Sequence, residues 1–140
     1  IEAGQTTVIT GPNGAGKSTL ALTLGGLLPV PAGRLEADPG FAPSPSRRNP
    51  VRWRSKELLT RIGSVFQDPE HQFLAATVRD ELSLGPRAIK LGAAEITTRT
   101  DELLERLHLA HLAAVNPYTL SGGEKRRLSV ATMLATAPKV

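Results

Sequence analysis

The sequence predicts an α/β domain, because segments with the patterns of strands and of helices follow one another along its 140 residues. The β-branched run at residues 6–10 indicates a strand, and residues 20–24 indicate the first turns of a helix. A glycine-rich loop joins the two. Residues 62–66 indicate a second, buried strand, and the region 77–115 is largely helical. An α/β core with a helical subdomain is therefore expected.

Composition places the chain among ordinary globular domains. Charged residues make up 21% and hydrophobic residues 40% of the sequence. The lack of cysteine in these residues excludes disulfides and thiolate metal sites, and no apolar run approaches the roughly 20 residues needed to cross a bilayer. The net charge of +4 permits contact with phosphates or a membrane surface without requiring either. The first residues lack an initiator Met and a signal-peptide pattern, so we expect an internal or processed segment.

The loop at residues 11–19 reads G-P-N-G-A-G-K-S-T and matches the phosphate-binding pattern G-x-x-x-x-G-K-[ST]. The strand before it and the helix after it supply the context that this motif requires. Backbone N–H groups and the helix N-terminus then form a concavity for anions. Lys17 is expected to reach the β- and γ-phosphates of a nucleotide, and the Ser18 hydroxyl to bind Mg²⁺. The predicted nucleotide-binding residues here are Asn13, Gly14, Ala15, Gly16, Lys17, Ser18 and Thr19.

A Pro- and Ser-rich stretch at residues 38–56 predicts an exposed, irregular loop, preceded by a short strand at residues 34–37. Five cations in this loop surround a single Trp53. Such a mixture suits a nucleic-acid platform, but one aromatic side chain makes a poor stacking surface. We therefore favour a solvated loop anchored by Trp53, and no nucleic-acid partner is expected. The five cations are Arg47, Arg48, Arg52, Arg54 and Lys56.

The segment after this loop carries one candidate site residue, Gln67. Residues 55–61 predict a short helix capped by Ser55, and the strand at residues 62–66 ends just before Gln67. Ligands of open α/β sheets bind at the carboxyl ends of strands, where Gln67 is expected to lie. On this residue alone, an ordinary surface amide is the preferred interpretation.

Two helices are predicted after Thr77, which has the pattern of an N-cap with acidic residues in the first turn. Gly85-Pro86 is expected to interrupt the first helix, and the second runs over residues 94–108. His108 and His111 have a spacing that can bind metal on a helix. We favour ordinary polar positions for both, because no cysteine or neighbouring third histidine completes a site.

A second anion-binding motif lies at residues 120–128, which read L-S-G-G-E-K-R-R-L. Ser121 and Glu124 have the spacing of a capping box. Gly122 and Gly123 leave backbone N–H groups bare at the start of a helix that is expected to continue to about residue 135. The motif alone fits an ordinary capped helix equally well.

Taken together, the two motifs and the helical segment between them resemble the ATP-binding cassette (ABC) ATPases over nearly the whole chain. Residues 11–19 match the family's Walker A motif, Gln67 its Q-loop, and residues 120–124 the signature motif that names the family. Residues 66–73, F-Q-D-P-E-H-Q-F, look more narrowly like the ATPases of energy-coupling factor transporters, which take up vitamins, cobalt or nickel.

This resemblance implies ATP and Mg²⁺ as ligands. Lys17 and Ser18 would hold the phosphates and the ion, together with Thr19. Gln67 would approach Mg²⁺ and the attacking water, so Lys17 and Gln67 are the catalytic candidates and Ser18 and Gln67 the metal candidates. In this family the signature motif binds ATP held by the Walker A motif of a second, head-to-tail ABC ATPase domain. The residues expected to complete that partner site are Ser121, Gly122, Gly123 and Glu124.

Some parts of the family pattern have no match in the chain. The Walker B Asp, the catalytic Glu and the switch His follow the signature helix in this family, and residues 137–140 fall where the Walker B strand would begin. We therefore expect an incomplete ABC ATPase domain in which the general base is not assigned. Its expected segments are a P-loop α/β core at 1–74, a helical subdomain at 75–118, and the signature motif with its helix at 119–140.

The resemblance implies an ATP-hydrolysing subunit on the cytoplasmic face of the cell membrane, bound peripherally to a transmembrane transporter subunit that selects the substrate. Phe73, at the end of the segment after Gln67, is expected to contact that partner. Two other functions stay open. One is a soluble ABC ATPase that acts on nucleic acid or ribosomes, and the other is a nucleotide-binding cassette half that does not hydrolyse ATP.

Overall fold

The computed structural model describes residues 1–2 and 4–140. It divides the chain into two compact units, Ile1–Trp53 and Arg54–Val140. Residues 54–74 therefore pack with the helices that follow them. The expected segments 1–74, 75–118 and 119–140 describe subdomains of the family and stay a prediction.

Among the described residues of the first unit there is one α-helix, α1, at Lys17–Leu24, with Gly16 as N-cap and Gly25 as C-cap. The sequence allows this helix to end near Gly25-Gly26 or at Leu28 before Pro29, and it ends at the first of these. The rest of what the structure describes in this unit is irregular, apart from a single 3₁₀ turn at Pro50–Arg52, where the Asn49 side chain accepts from the Val51 amide.

The Pro- and Ser-rich loop is anchored by Trp53, as the sequence predicts. Trp53 is 6% exposed. Its Nε1 donates to the Arg47 carbonyl oxygen at 2.7 Å, and its ring packs at 5.8 Å from that of Phe41. Because the ring is covered, it is not available to stack on a nucleic-acid base.

Four α-helices form the second unit: α2 at Ser55–Leu59, α3 at Val78–Ala88, α4 at Ala93–Arg106 and α5 at Gly122–Ala135. The longer helices α3, α4 and α5 pack against one another. Their common core consists of Phe73, Val78, Leu82, Leu104, Leu109, Leu120, Leu128 and Ala131.

The helix boundaries agree with the sequence within two residues at most positions. Thr77 caps α3 by accepting from the Asp80 amide, and Ser121 caps α5. Helix α4 covers 93–106 where 94–108 was expected. Helix α2 has Arg54 rather than Ser55 at its N-cap, because the Glu57 carboxylate accepts from the Arg54 amide at 2.7 Å.

The predicted interruption at Gly85-Pro86 is wrong, since α3 continues through both residues to Ala88. Proline removes one helical hydrogen bond at a cost of about 3 kcal/mol. Pro86 is fully buried, so packing offsets this cost. Only the last turn of the helix lies beyond it, and the Ile89 amide still bonds to the Gly85 carbonyl oxygen at 3.1 Å.

Gly85 allows the close approach of α3 to the end of α5. A Cβ at this position would lie 2.6 Å from Cγ2 of Thr136, a buried β-branched residue. Gly85→Ala should therefore lower the free energy of unfolding by about 1–3 kcal/mol despite the better helix propensity of alanine. Thermal or denaturant unfolding measures the change. In a Thr136→Ser background, which removes Cγ2, Gly85→Ala should be neutral or stabilising; an equal loss in both backgrounds would contradict the steric explanation.

No strand is assigned within residues 1–2 and 4–140, so the strands predicted at residues 6–10, 34–37 and 62–66 are not found there. A strand needs a neighbouring strand for its backbone hydrogen bonds, whatever its local propensity. Val8 is 78% exposed and Ile9 41%. These apolar side chains have no covering layer among the described residues.

One pair of backbone hydrogen bonds nevertheless has the pattern of a parallel ladder. The Val140 amide donates to the Arg61 carbonyl oxygen at 2.9 Å, and the Gly63 amide donates to the Val140 carbonyl oxygen at 2.6 Å. The two bonds flank Ile62, which is the arrangement of a parallel bridge between Ile62 and Val140. The segment predicted as a buried strand thus pairs with residue 140.

In the described part of the chain, no helix combines the length and the apolar character needed to cross a bilayer.

Candidate functional site

The glycine-rich loop at residues 11–19, predicted to bind phosphate, directly precedes α1 and continues into its first turn. Gly14 and Gly16 have φ angles of +81° and +86°, in the left-handed region that a side chain disfavours. Gly16 is the N-cap of α1, so the helix starts at Lys17. The amides of Lys17, Ser18 and Thr19 open the helix and have no intrahelical partner. The helix dipole adds positive potential at the same point.

Lys17 folds back over this loop. Its Nζ donates to the carbonyl oxygens of Gly11 at 2.9 Å and Pro12 at 2.7 Å, while the Ala15 amide donates to the Pro12 carbonyl oxygen at 3.3 Å. The ammonium group therefore lies beside the backbone of this loop. A fixed cation beside several backbone donors can bind a polyphosphate anion.

Gln67 lies in the second unit and is exposed. It precedes a 3₁₀ turn at Pro69–Gln72, where the sequence favours a turn because Pro69 cannot continue a strand. The Phe66 carbonyl oxygen, on the peptide that leads into Gln67, accepts from Nη1 of Arg126 at 2.7 Å. After Gln67, the Glu70 carboxylate forms an ion pair of 2.6 Å with Nζ of Lys125. Both cations belong to α5.

The signature motif forms the capping box that its sequence predicts. The Glu124 carboxylate accepts from the Ser121 amide at 2.8 Å and from its hydroxyl at 2.6 Å, while the Ser121 Oγ accepts from the Glu124 amide at 3.5 Å. Gly122 and Gly123 are exposed. Their amides open α5 without an intrahelical partner, which leaves an anion-binding helix terminus at the surface.

This capping box changes the acidity of Glu124. The hydrogen bond from the Ser121 hydroxyl, then that from its amide, hold the pKa of the Glu124 carboxyl below its ordinary value of 4.5. A lowered pKa means that the ionised form stabilises the fold. This contribution is fully present above pH 4.5 and is lost as the pH falls through the lowered pKa.

Ser121→Ala should therefore raise the pKa of Glu124 toward 4.5, because the hydroxyl donor is its first cause. The same substitution should weaken the start of α5 and flatten the pH dependence of stability on the acid side of neutrality. NMR titration of the Glu124 carboxyl measures the pKa. Ser55→Ala, at an exposed serine in the first turn of α2, is the control. An unchanged Glu124 pKa in Ser121→Ala would contradict the observed capping geometry.

Two residues that sequence reasoning missed hold the backbone just beyond the 3₁₀ turn. One oxygen of the buried Glu81 carboxylate accepts from the amides of Leu74 at 2.8 Å and Ala75 at 2.7 Å. The Tyr118 hydroxyl donates to the Phe73 carbonyl oxygen at 2.8 Å. The sequence marked Glu81 only as a first-turn acid, and no local pattern connects Tyr118 with a residue 45 positions earlier.

Phe73 does not have the surface position expected for a partner contact. It is 3% exposed and belongs to the core, where its ring meets that of Tyr118 edge to face at 6.2 Å. The neighbouring Leu74 is 85% exposed. The docking role predicted for Phe73 is therefore wrong for its side chain, and Leu74 is the apolar residue that faces solvent.

The predicted site residues thus fall into two groups. Residues 13–19 lie in the first unit, and Gln67 and residues 121–124 lie in the second. Within the second unit, contacts from α5 bracket Gln67. Among the described residues, no group of three or more His, Asp or Glu side chains is placed to hold a metal ion.

Comparisons with known proteins agree with these motifs. A family model described as ABC transporter matches residues 1–140. The cobalt import ATP-binding protein CbiO of Rhodobacter capsulatus is 40% identical over 140 residues, which are 100% of this chain and 48% of that protein. The energy-coupling factor transporter ATP-binding protein EcfA1 of Halalkalibacterium halodurans is 37% identical over the same length, again with 100% and 48% coverage.

A solved structure is similar as well. The structure of cbiO1 from Clostridium perfringens, described as part of the ABC transporter complex cbiONQ, superimposes with a TM-score of 0.69 at 34% sequence identity. The match covers 92% of this chain and 49% of that one. The chain spans about half the length of these relatives. The fold is that of an ABC ATPase (P-loop) domain. Within the described residues, the regular secondary structure is helical.

Proposed function

Because the chain belongs to the ABC transporter family, we propose that it is the ATP-binding part of an ATPase subunit that powers a membrane importer of the energy-coupling factor type. The observation that carries this proposal is the loop at residues 11–19, where the Lys17 ammonium lies beside the loop carbonyl groups and the first amides of α1 have no intrahelical partner. The similarity to CbiO and EcfA1 supports the type of transporter. The substrate is selected by the membrane partner.

In this proposal the P-loop binds the triphosphate of ATP. Asn13, Gly14, Ala15 and Gly16 supply backbone donors, and the Lys17 ammonium moves from the Gly11 and Pro12 carbonyl oxygens to the β- and γ-phosphates. Those carbonyl contacts, at 2.9 and 2.7 Å, keep the ammonium near the loop before the nucleotide arrives. Little reorganisation is then needed on binding, which favours affinity.

The residues present also fit Mg²⁺. Ser18 is exposed in the first turn of α1, and Mg²⁺ takes oxygen ligands from one or two side chains together with phosphates. Ser18 and Gln67 are the proposed protein ligands. When bound, the ion would neutralise charge on the phosphates.

Signature residues complete the site of a second ABC ATPase domain in this proposal. Ser121, Gly122, Gly123 and Glu124 would face the γ-phosphate of ATP held by the partner in a head-to-tail dimer. The exposed amides at the start of α5 suit that role. The capping box keeps Ser121 fixed, because Glu124 holds both its amide and its hydroxyl.

Hydrolysis would proceed by in-line attack of water on the γ-phosphate, with positioning and charge neutralisation as the main sources of catalysis. Lys17 binds the transferred phosphoryl group and Gln67 orients the water. No general base is assigned to residues 1–140, so we propose that the chain is inactive unless further residues supply this group.

The test is an assay of ATP-driven substrate uptake in proteoliposomes. These contain the transmembrane partner, with the full-length protein bound at the cytoplasmic face of that partner. We expect hydrolysis to depend on that partner and to be insensitive to DNA and ribosomes. Hydrolysis stimulated by DNA or ribosomes, without any transmembrane partner, would favour the soluble ABC ATPase instead. ATP binding without turnover in the complete transporter would favour a non-hydrolysing cassette half.

A further inference from the structure

Gln67 is bracketed by two cations from one helix. Arg126 donates to the Phe66 carbonyl oxygen at 2.7 Å, directly before Gln67, and Lys125 pairs with Glu70 at 2.6 Å, three residues after it. Phe66 and Gln67 are themselves exposed, so packing alone does not fix the peptide between them. The two contacts from α5 set its position instead.

These contacts are of the stronger kind. Each involves a charged group, and charge-assisted hydrogen bonds are about twice as strong as neutral ones. The Lys125 side chain is only 18% exposed, whereas that of Glu70 is 49% exposed, so water reaches the carboxylate side of this ion pair. The hydrogen bond from Lys125 holds the pKa of the Glu70 carboxyl below its ordinary value of 4.5. The weaker bond from Gln72 Nε2 to Ser129 Oγ, at 3.5 Å, extends the attachment along α5.

We propose that Arg126 and Lys125 are positioning residues for Gln67 and that they link two ATP sites. This inference rests on the proposed function. The helix that carries both cations begins immediately after Ser121, whose motif acts on ATP held by the second domain, whereas Gln67 acts on ATP held by its own domain. A displacement of Gln67 is transmitted through Arg126 and Lys125 to α5, and so to the partner site.

Arg126→Ala in the full-length protein tests the proposal, with Arg126→Lys as the conservative variant. Arg106→Ala is the matched control, because Arg106 is exposed on α4. Two readouts are needed. Hydrogen–deuterium exchange of the backbone at residues 66–73, without nucleotide, reports the position of the segment. Steady-state kinetics with Mg-ATP report kcat, KM and the shape of the ATP dependence.

Arg126→Ala should speed exchange at residues 66–73 and lower kcat about tenfold, with KM changed by no more than about twofold. If the two ATP sites are linked, the wild type should show a sigmoidal ATP dependence, and this dependence should become hyperbolic in Arg126→Ala. Arg126→Lys should restore most of both readouts, since an ammonium can reach the same carbonyl oxygen, and Arg106→Ala should match the wild type.

Unchanged exchange in Arg126→Ala would overturn the positioning role. Faster exchange with an unchanged kcat in Arg126→Ala would mean that the contact between Arg126 and Phe66 is only structural. A hyperbolic ATP dependence of the wild type would overturn the link between the two ATP sites. Two different results would contradict the proposed function: the complete transporter does not hydrolyse ATP, or hydrolysis survives Lys17→Ala. The exchange experiment decides the positioning role in either case.

Discussion

Lys17→Ala is expected to reduce ATP hydrolysis by the full-length protein to background. Its ammonium is the cation held beside the P-loop, bonded to the Gly11 and Pro12 carbonyl oxygens. Alanine leaves the backbone donors in place but removes the charge that, in the proposed function, faces the β- and γ-phosphates. Loss of one preorganised donor costs about 10²–10³ in kcat, and weaker ATP binding adds to this loss. Phosphate release at saturating Mg-ATP measures the effect.

The matched control for this experiment is Lys56→Ala, which removes an exposed lysine from α2. It should retain wild-type turnover. The fold should survive Lys17→Ala, because both partners of the ammonium are carbonyl oxygens at the surface that water can satisfy. Turnover in Lys17→Ala equal to that in Lys56→Ala would show that residues 11–19 do not bind the phosphates.

Phe73→Ala should lower the free energy of unfolding by about 3–5 kcal/mol, the usual cost of removing a buried aromatic side chain. Phe73 is 3% exposed and packs in the core of the second unit, with the Tyr118 ring against it. For a domain of ordinary stability this is a large fraction of the total. Denaturant unfolding measures the change.

Leu74→Ala is the paired substitution one residue later. Because Leu74 is 85% exposed, its loss should change stability by less than about 0.5 kcal/mol. If this residue contacts the transmembrane subunit, transport per ATP should fall while ATP binding is unchanged.

A stable Phe73→Ala protein would contradict the burial of the ring. Normal coupling in Leu74→Ala would exclude that side chain from the membrane contact.

The features that the sequence predicts correctly are set by residues that are close together along the chain. The limits of α1 follow from glycine on either side of it, and the capping box at Ser121 follows from the spacing of a serine and a glutamate. These features depend on residues within one or two turns of each other. The spacing of Leu103, Leu104 and Leu107 likewise predicts the apolar face of α4. Leu103 and Leu104 are buried, whereas Leu107 follows the last residue of the helix and is half-buried.

Contacts between distant segments explain what the sequence does not predict. The predicted strands lack paired neighbours except at Ile62, whose bridge joins it to Val140. Pro86 stays helical because its burial outweighs its local preference. The attachment of Phe66 to Arg126 spans 60 positions, and only the folded unit brings these two residues together.

In the proposed function, the signature motif of this chain acts on ATP held by a second ABC ATPase domain. Disulfide cross-linking tests it directly, because residues 1–140 contain no cysteine. One cysteine replaces Gly122, and the other replaces the P-loop residue equivalent to Asn13 in the second ATPase domain of the same transporter, whether a second copy or a different chain. We predict an intermolecular cross-link that forms with ATP and not without nucleotide. No cross-link with ATP, in a transporter that still binds it, would contradict the claim.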